Sequence, residues 1–313
     1  MHHSSISRRI FLKGSLAASA GMVFLGLYPS DLLAEQGLVK VTILHTNDVH
    51  SRIDPFPSSD SRFPNMGGAA PRAELLKKIR SEEQHVLLFD SGDMFQGTPY
   101  FNYYKGELEL KLMSQMGYDA GTIGNHDFDA GIEGLEKQLI HAQFPLLTSN
   151  YDFSQTCMKD KTLPFRVFNK GGVTIGVFGL GIELEGLVGK SMYGDTKYLD
   201  PIAKANEMAA YLKTEKECHM VVCLSHLGFS YDTSKVSDKV LARNSKNIDL
   251  ILGGHTHTFL DKPWLQQDLD GKEVMICQVG WGGIKLGRVD CYFKTSGKLL
   301  HKKSSSKNIF KKQ

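Results

Sequence analysis

Five short clusters in this 313-residue chain combine carboxylates, imidazoles and an amide at spacings that suit metal ligation. In Thr46-Asn47-Asp48-Val49-His50, alternation along an extended segment puts Asp48 and His50 on one side, so a carboxylate and an imidazole can grip one ion. Alone, Asp-x-His is common and reads far more often as a turn residue beside a surface histidine. In Asp90-Ser91-Gly92-Asp93, Gly92 permits a sharp turn that projects Asp93, whose two oxygens can bridge two ions, while Asp90 serves the turn or supports the ligands from behind. Gly124-Asn125-His126-Asp127-Phe128-Asp129 offers the amide oxygen of Asn125, an imidazole at His126 that need not be a ligand, and Asp129 placed to orient it. Ser225-His226-Leu227-Gly228 carries one histidine, which in isolation is most often structural. Gly253-Gly254-His255-Thr256-His257 sets two imidazoles two residues apart behind two flexible glycines, the most metal-like single element of the chain. Jointly, Asp48, His50, Asp93, Asn125, His226, His255 and His257 suffice for two divalent ions sharing Asp93. A nitrogen and oxygen set without thiolate admits Mn, Zn, Fe or Co. His45, His85, His141, His219 and His301 have no such partners and read as structural or surface residues.

Every cluster follows an apolar run, where a strand gives way to a loop and residues from different strands can converge. Such runs predict strands at 39–45, 86–90, 120–123, 144–148, 173–179, 220–225, 248–252, 273–279 and 287–293. Helical patterns fall between them at 70–80, 107–115, 132–142, 202–216 and 234–243. The alternation is that of an α/β fold. Gly171-Gly172 between two apolar runs predicts a hairpin, so part of the sheet must be antiparallel. Loops 51–66 and 183–198 are expected near the mouth of the site.

The length suits one large α/β domain after a targeting segment is set aside, and leaves little room for two. Ser7-Arg8-Arg9-Ile10-Phe11-Leu12-Lys13 resembles the bacterial twin-arginine export signal, and the diluted apolar stretch 14–27 behind it is short for a membrane span. Cleavage after Ala34 is expected, the alternative being an uncleaved basic anchor. That export route carries folded proteins, which suits a metalloprotein loaded before secretion. The expected organisation is a signal peptide at 1–34, a catalytic domain at 35–301 and a flexible basic tail at 302–313, with a periplasmic or secreted destination. The net charge is +3, and loss of Arg8, Arg9, Lys13 and Asp31 leaves about +1, which is no footprint for a nucleic-acid polymer. Five scattered cysteines support neither a zinc ribbon nor a disulfide framework and read as small buried hydrophobes.

The order Asp-x-His, Gly-Asp, Gly-Asn-His-Asp, lone His, Gly-His-x-His resembles the calcineurin-like metallophosphoesterases. The strings 43–48 and 124–129, with Tyr198-Leu199-Asp200-Pro201, 249–257 and Gln278-Val279-Gly280, look like the 5′-nucleotidase branch of that superfamily, over roughly residues 38–293. The resemblance implies a four-layer αββα sandwich of two mixed β-sheets flanked by helices. It implies one metal held by Asp48, His50, Asp93 and His257 and a second by Asp93, Asn125, His226 and His255, with His126, held by Asp129, as the catalytic imidazole. Asp127 departs from the branch, which often has glutamate there.

Two ions about 3.5–4 Å apart lower the pKa of a bridging water, so the expected reaction is hydrolysis of phosphomonoesters, nucleotides foremost, by a metal-bridging hydroxide. Alternatives on the same core are a phosphodiesterase or 2′,3′-cyclic nucleotide hydrolase and a thiosulfate-ester hydrolase. A different class is an inactive metal-binding module, against which the unligated His126 and Asp129 speak. Enzymes of this branch usually continue into a domain that stacks the base between aromatic rings, and the chain shows no candidate for one, so rates within about tenfold between bases are expected. A separate polypeptide completing the site is the corresponding partner. Phe56, Phe63, Tyr100 and Tyr104 are the aromatics expected at a shallow mouth.

Overall fold

The computed structural model describes residues 37–310. The signal-peptide reading at 1–34 lies outside the described residues.

Two mixed sheets face each other. The first runs β13 (Leu299–Asn308), β12 (Lys285–Lys294), β1 (Leu38–Thr46), β2 (Val86–Asp90), β3 (Ala120–Gly121), with β1, β2 and β3 parallel and β12 and β13 antiparallel. The second runs β10 (Trp264–Gln267), β11 (Glu273–Cys277), β9 (Leu250–Gly253), β8 (Met220–Ser225), β6 (Val173–Leu180), β5 (Phe165–Lys170), with a parallel centre and antiparallel edges. A small ribbon pairs β4 (Tyr151–Asp152) with β7 (Lys197–Tyr198).

The period of two along each strand divides the core into three layers. Val41, Ile43, Leu87 and Phe89 of the first sheet meet Val177, Val222, Leu224 and Leu252 of the second, forming an apolar layer between the sheets. The alternate residues Leu44 and Leu88 turn outward onto Leu76 and Ile79 of helix Ala69–Glu82 and Leu110 and Met113 of helix Glu107–Gln115. On the far side Val221, Cys223 and Ile251 meet Ala205, Ala209 and Leu212 of helix Pro201–Thr214. This is the αββα sandwich the sequence resemblance implies. The hairpin through Gly171 and Gly172 joins β5 to β6 in antiparallel register. The strand expected at 144–148 is reduced to isolated bridges at Leu146 and Leu147. Four of the five cysteines are buried, Cys157 is exposed, and all are free.

The tail is a correction. Residues 299–308 are not frayed but form β13, laddered onto β12, and Ile309 is buried beyond it. Lys302 Nζ crosses to the second sheet, donating to the carbonyls of Asp249 (2.6 Å) and Glu273 (3.3 Å). A run of Lys and Ser has little to bury, which is why composition reads it as loose, but backbone pairing at a sheet edge needs no apolar side chain.

Candidate active site

The parallel strands β1, β2 and β3 of one sheet and β8 and β9 of the other end on the same side of the sandwich, and all five clusters lie just past those ends. The loop after β1 continues alongside the loop after β2: the N–H of Asp48, His50 and Ser51 donate to the carbonyls of Gly92 (2.9 Å), Asp93 (3.1 Å) and Met94 (2.9 Å). Ser91 Oγ donates to Leu252 O across the sheets (2.7 Å). Asp48, His50, Asp93, His255 and His257 all have positive φ, between 49° and 71°, which is costly for residues with a Cβ and concentrates backbone strain where side chains must converge. Gly124 leaves the room they need: a Cβ there would lie 2.2 Å from Asp93 Oδ1 and 2.7 Å from His226 Cε1.

The ligating atoms of Asp48, His50 and His257 lie within 4.8 Å of one another, as do those of Asp93, His226 and His255. Asn125 Oδ1 is 2.8 Å from His255 Nδ1, which brings the amide to the second group. Asp93 lies between the groups: Oδ2 is 3.1 Å from His226 Nε2 and 3.9 Å from His50 Nε2. His50 Nδ1 faces Phe95 O (3.1 Å) and His226 Nδ1 faces Ser91 O (2.7 Å), so in the neutral rings these nitrogens carry the proton and Nε2 carries the lone pair. The two Nε2 atoms face further polar atoms, His50 Nε2 lying 2.9 Å from His257 Nε2 and His226 Nε2 3.1 Å from Asp93 Oδ2. Nitrogen and oxygen donors converging at such distances fit divalent cations.

Burial works against charge on His226, yet Asp93 and Asp48 raise its pKa to about 10. Burial likewise works against ionisation of Asp93, but His226, His50 and His126 hold the carboxyl well below the usual range. Burial and then the positive His226 lower His255 to about 4, and burial lowers His50.

His126 sits beside the groups. Its Nδ1 is 3.1 Å from Asp129 Oδ2 and its Nε2 is 3.2 Å from Gln96 Nε2, so neither nitrogen is aimed at the ligand atoms. Burial lowers its pKa, but Asp129 and Asp93 outweigh this and raise it. Asp90 accepts from Thr46 Oγ1 and from Gly92 N–H and serves the turn, as expected.

Three features escape the sequence reading. The Asp127 carboxylate accepts from the N–H of Asp93 (3.0 Å), Met94 (2.9 Å), Phe95 (3.2 Å) and Gly124 (2.8 Å), tying the loop of Asp93 to that of Asn125. Gln96, at φ 113°, gives no local signal for its place at His126. Trp281 stacks near His257 with ring centroids 5.7 Å apart; its signal was a tryptophan set among glycines. Of the aromatics expected at the mouth, Phe56 and Phe63 join Trp281, whereas the Tyr100 hydroxyl donates to Asp54 (2.6 Å) and Tyr104 lies against Tyr103.

The family model for calcineurin-like phosphoesterases matches residues 41–259, which contain all seven candidate ligand residues and His126. The chain belongs to the calcineurin-like phosphoesterase family. It is 33% identical to a snake venom 5′-nucleotidase from Crotalus adamanteus over 87% of its own length and 48% of the relative's. It is 31% identical to a human 5′-nucleotidase over 84% and 48%. Among solved structures, a 5′-nucleotidase precursor from Thermus thermophilus matches with a TM-score of 0.78 and 30% identity, over 87% of this chain and 55% of that one. A calcineurin-like phosphoesterase from Bacillus subtilis shares the fold at a TM-score of 0.69. This phosphoesterase chain thus spans about half the length of the 5′-nucleotidases it resembles.

Proposed function

We propose that this chain hydrolyses phosphate monoesters, 5′-nucleotides foremost, with one divalent cation held by Asp48, His50, Asp93 and His257 and another by Asp93, Asn125, His226 and His255. The observation that carries the reading is the pair of adjacent donor groups, Asp48, His50 and His257 beside Asp93, His226 and His255, with Asp93 Oδ2 3.9 Å from His50 Nε2 and the imidazole of His126 held alongside by Asp129. Such ions, when bound, lower the pKa of a shared water and draw charge from phosphoryl oxygens.

The protein's own contribution is positioning and proton handling. Asp129 holds the ring of His126 and raises its affinity for a proton, so Nε2 has one to give to the leaving alkoxide or to share with the phosphoryl group. Asp127 fixes the two loops that carry Asp93, Asn125 and His126, which keeps that imidazole in register with the water's line of attack. No serine or cysteine nucleophile is required. The name 5′-nucleotidase carried by the relatives supports the nucleotide reading over the diester one.

The pattern 7–13 supports export to the periplasm or beyond, in a role in nucleotide breakdown; among the described residues no helix is long and apolar enough to cross a membrane. A second polypeptide supplying a base-binding domain is the partner this reading allows. The deciding experiment is to assay the purified, Mn-loaded chain on AMP, ribose 5-phosphate, 2′,3′-cyclic AMP and a thiosulfate ester. Turnover of the monoesters supports the proposal, and turnover confined to the cyclic diester or the thiosulfate ester replaces it.

A further inference from the structure

A row of rings leads out of the site. His126 meets His50 at 5.4 Å between centroids, His50 meets His257 at 5.0 Å, and His257 lies nearly parallel to Trp281 at 5.7 Å. Beyond Trp281 the row continues to Phe63 at 6.4 Å, and from Phe63 to Phe259 at 5.9 Å. Trp281, Phe63 and Phe259 are each only partly buried, in loops rather than in any of the three core layers.

These rings are held firmly. Gly282 N–H donates to Asp48 O (2.7 Å), Asn47 Nδ2 donates to Gly280 O (2.6 Å), and Gly280 N–H donates to Thr258 O (3.0 Å), so Trp281 is pinned between the loops of Asp48 and His257. Positive φ at Gly280, Gly282 and Gly283 makes the turn that presents it. Beneath, buried Phe56 meets the indole edge-on at 5.4 Å and carries the Arg52 guanidinium 4.2 Å above its own ring. The exposed Arg62 guanidinium lies 5.7 Å from the Phe63 ring. Partly open aromatics one ring away from a candidate metal ligand, fixed in place and flanked by arginines, have the chemistry that receives a flat, electron-rich heterocycle attached to a phosphate.

We infer that Trp281, Phe63 and Phe259 form a stacking shelf for the nucleobase of the substrate, so that this chain carries a base-binding surface of its own. The inference rests on the hydrolase reading for the substrate but not for the shelf. Stacking is tolerant of base identity, and one contact corresponds to roughly a tenfold preference for a nucleotide over its sugar phosphate, with little difference among bases.

The chain has two tryptophans, and the other, Trp264, lies on the edge strand β10. In a Trp264→Phe protein, fluorescence therefore reports Trp281 alone. Titration with adenosine and with AMP is expected to quench it saturably, ribose 5-phosphate is expected not to, and Phe63→Ala in the same background is expected to weaken nucleoside binding about tenfold. In parallel, the ratio of kcat/KM for AMP to that for ribose 5-phosphate should be about ten and fall toward one in Phe63→Ala, while ribose 5-phosphate turnover is kept. Absence of quenching by AMP, or an unchanged ratio in Phe63→Ala, overturns the shelf and leaves the hydrolase reading standing. Quenching without hydrolysis of either ester supports the shelf and sinks the hydrolase reading.

Discussion

His226 Nε2 and Asp93 Oδ2 lie 3.1 Å apart in the interior, a buried imidazole facing a buried carboxylate. Burying such a pair is costly unless its charge is compensated, by a proton on the imidazole or by a cation held between the two. Asp93→Asn should therefore be the most damaging change among the proposed ligands, because the amide replaces the anionic oxygen proposed to serve both ions with a neutral one or with an N–H₂ donor. Elemental analysis should find both ions depleted, and the rise in melting temperature expected for the parent protein on adding Mn should be lost. Two retained ions with near-normal turnover would remove Asp93 from the shared position.

His126→Ala should behave in the opposite way. Metal content should stay at the parent level, since neither ring nitrogen faces the ligand atoms, while kcat falls by about 10²–10⁴-fold, the range of a positioned acid. Metal loss in this variant would make His126 a ligand and end its proposed role.

Asp127→Ala tests the brace. It strips the acceptor from the N–H groups of Asp93, Met94, Phe95 and Gly124 in a fully buried position, and even one such orphan costs about 1–3 kcal/mol. A stability loss on the order of 3 kcal/mol or more by urea unfolding is expected, together with loss of turnover; an unchanged midpoint would show that water replaces the carboxylate freely.

His45 gives a pH prediction separate from the metal site. It is wholly buried on β1 opposite Gly287, where a Cβ would fall 2.0 Å from its Nε2, and its Nδ1 has no hydrogen-bond partner. Burial lowers its pKa from 6.5 to about 4. The folded state thus binds fewer protons than the unfolded state between these values, so the contribution is intact above pH 6.5 and is lost as pH falls toward 4, by on the order of 3 kcal/mol. Denaturation curves of the parent and of His45→Leu at pH 7 and pH 4.5 should diverge accordingly, with the variant less acid-sensitive. Parallel pH profiles would mean that His45 is protonated without cost.

The chemistry was legible in the sequence because it is local. Asp48 with His50, His255 with His257, and His126 with Asp129 are neighbours in the chain, and the apolar runs before them fixed the strand ends from which they project. The layers were legible for the same reason, since alternation in β1, β2 and β8 is a period of two that each strand carries by itself. What only the tertiary structure decided lies between distant segments. That Asp127 receives the N–H groups of Asp93, Met94 and Phe95, that Gln96 reaches His126, and that Trp281 is pinned between the loops of Asp48 and His257 depend on contacts spanning 22 to 234 residues, which no local pattern encodes. The strand at 299–308 belongs with these: its Lys and Ser residues say nothing of pairing, and β12 supplies the partner whose unpaired edge holds them.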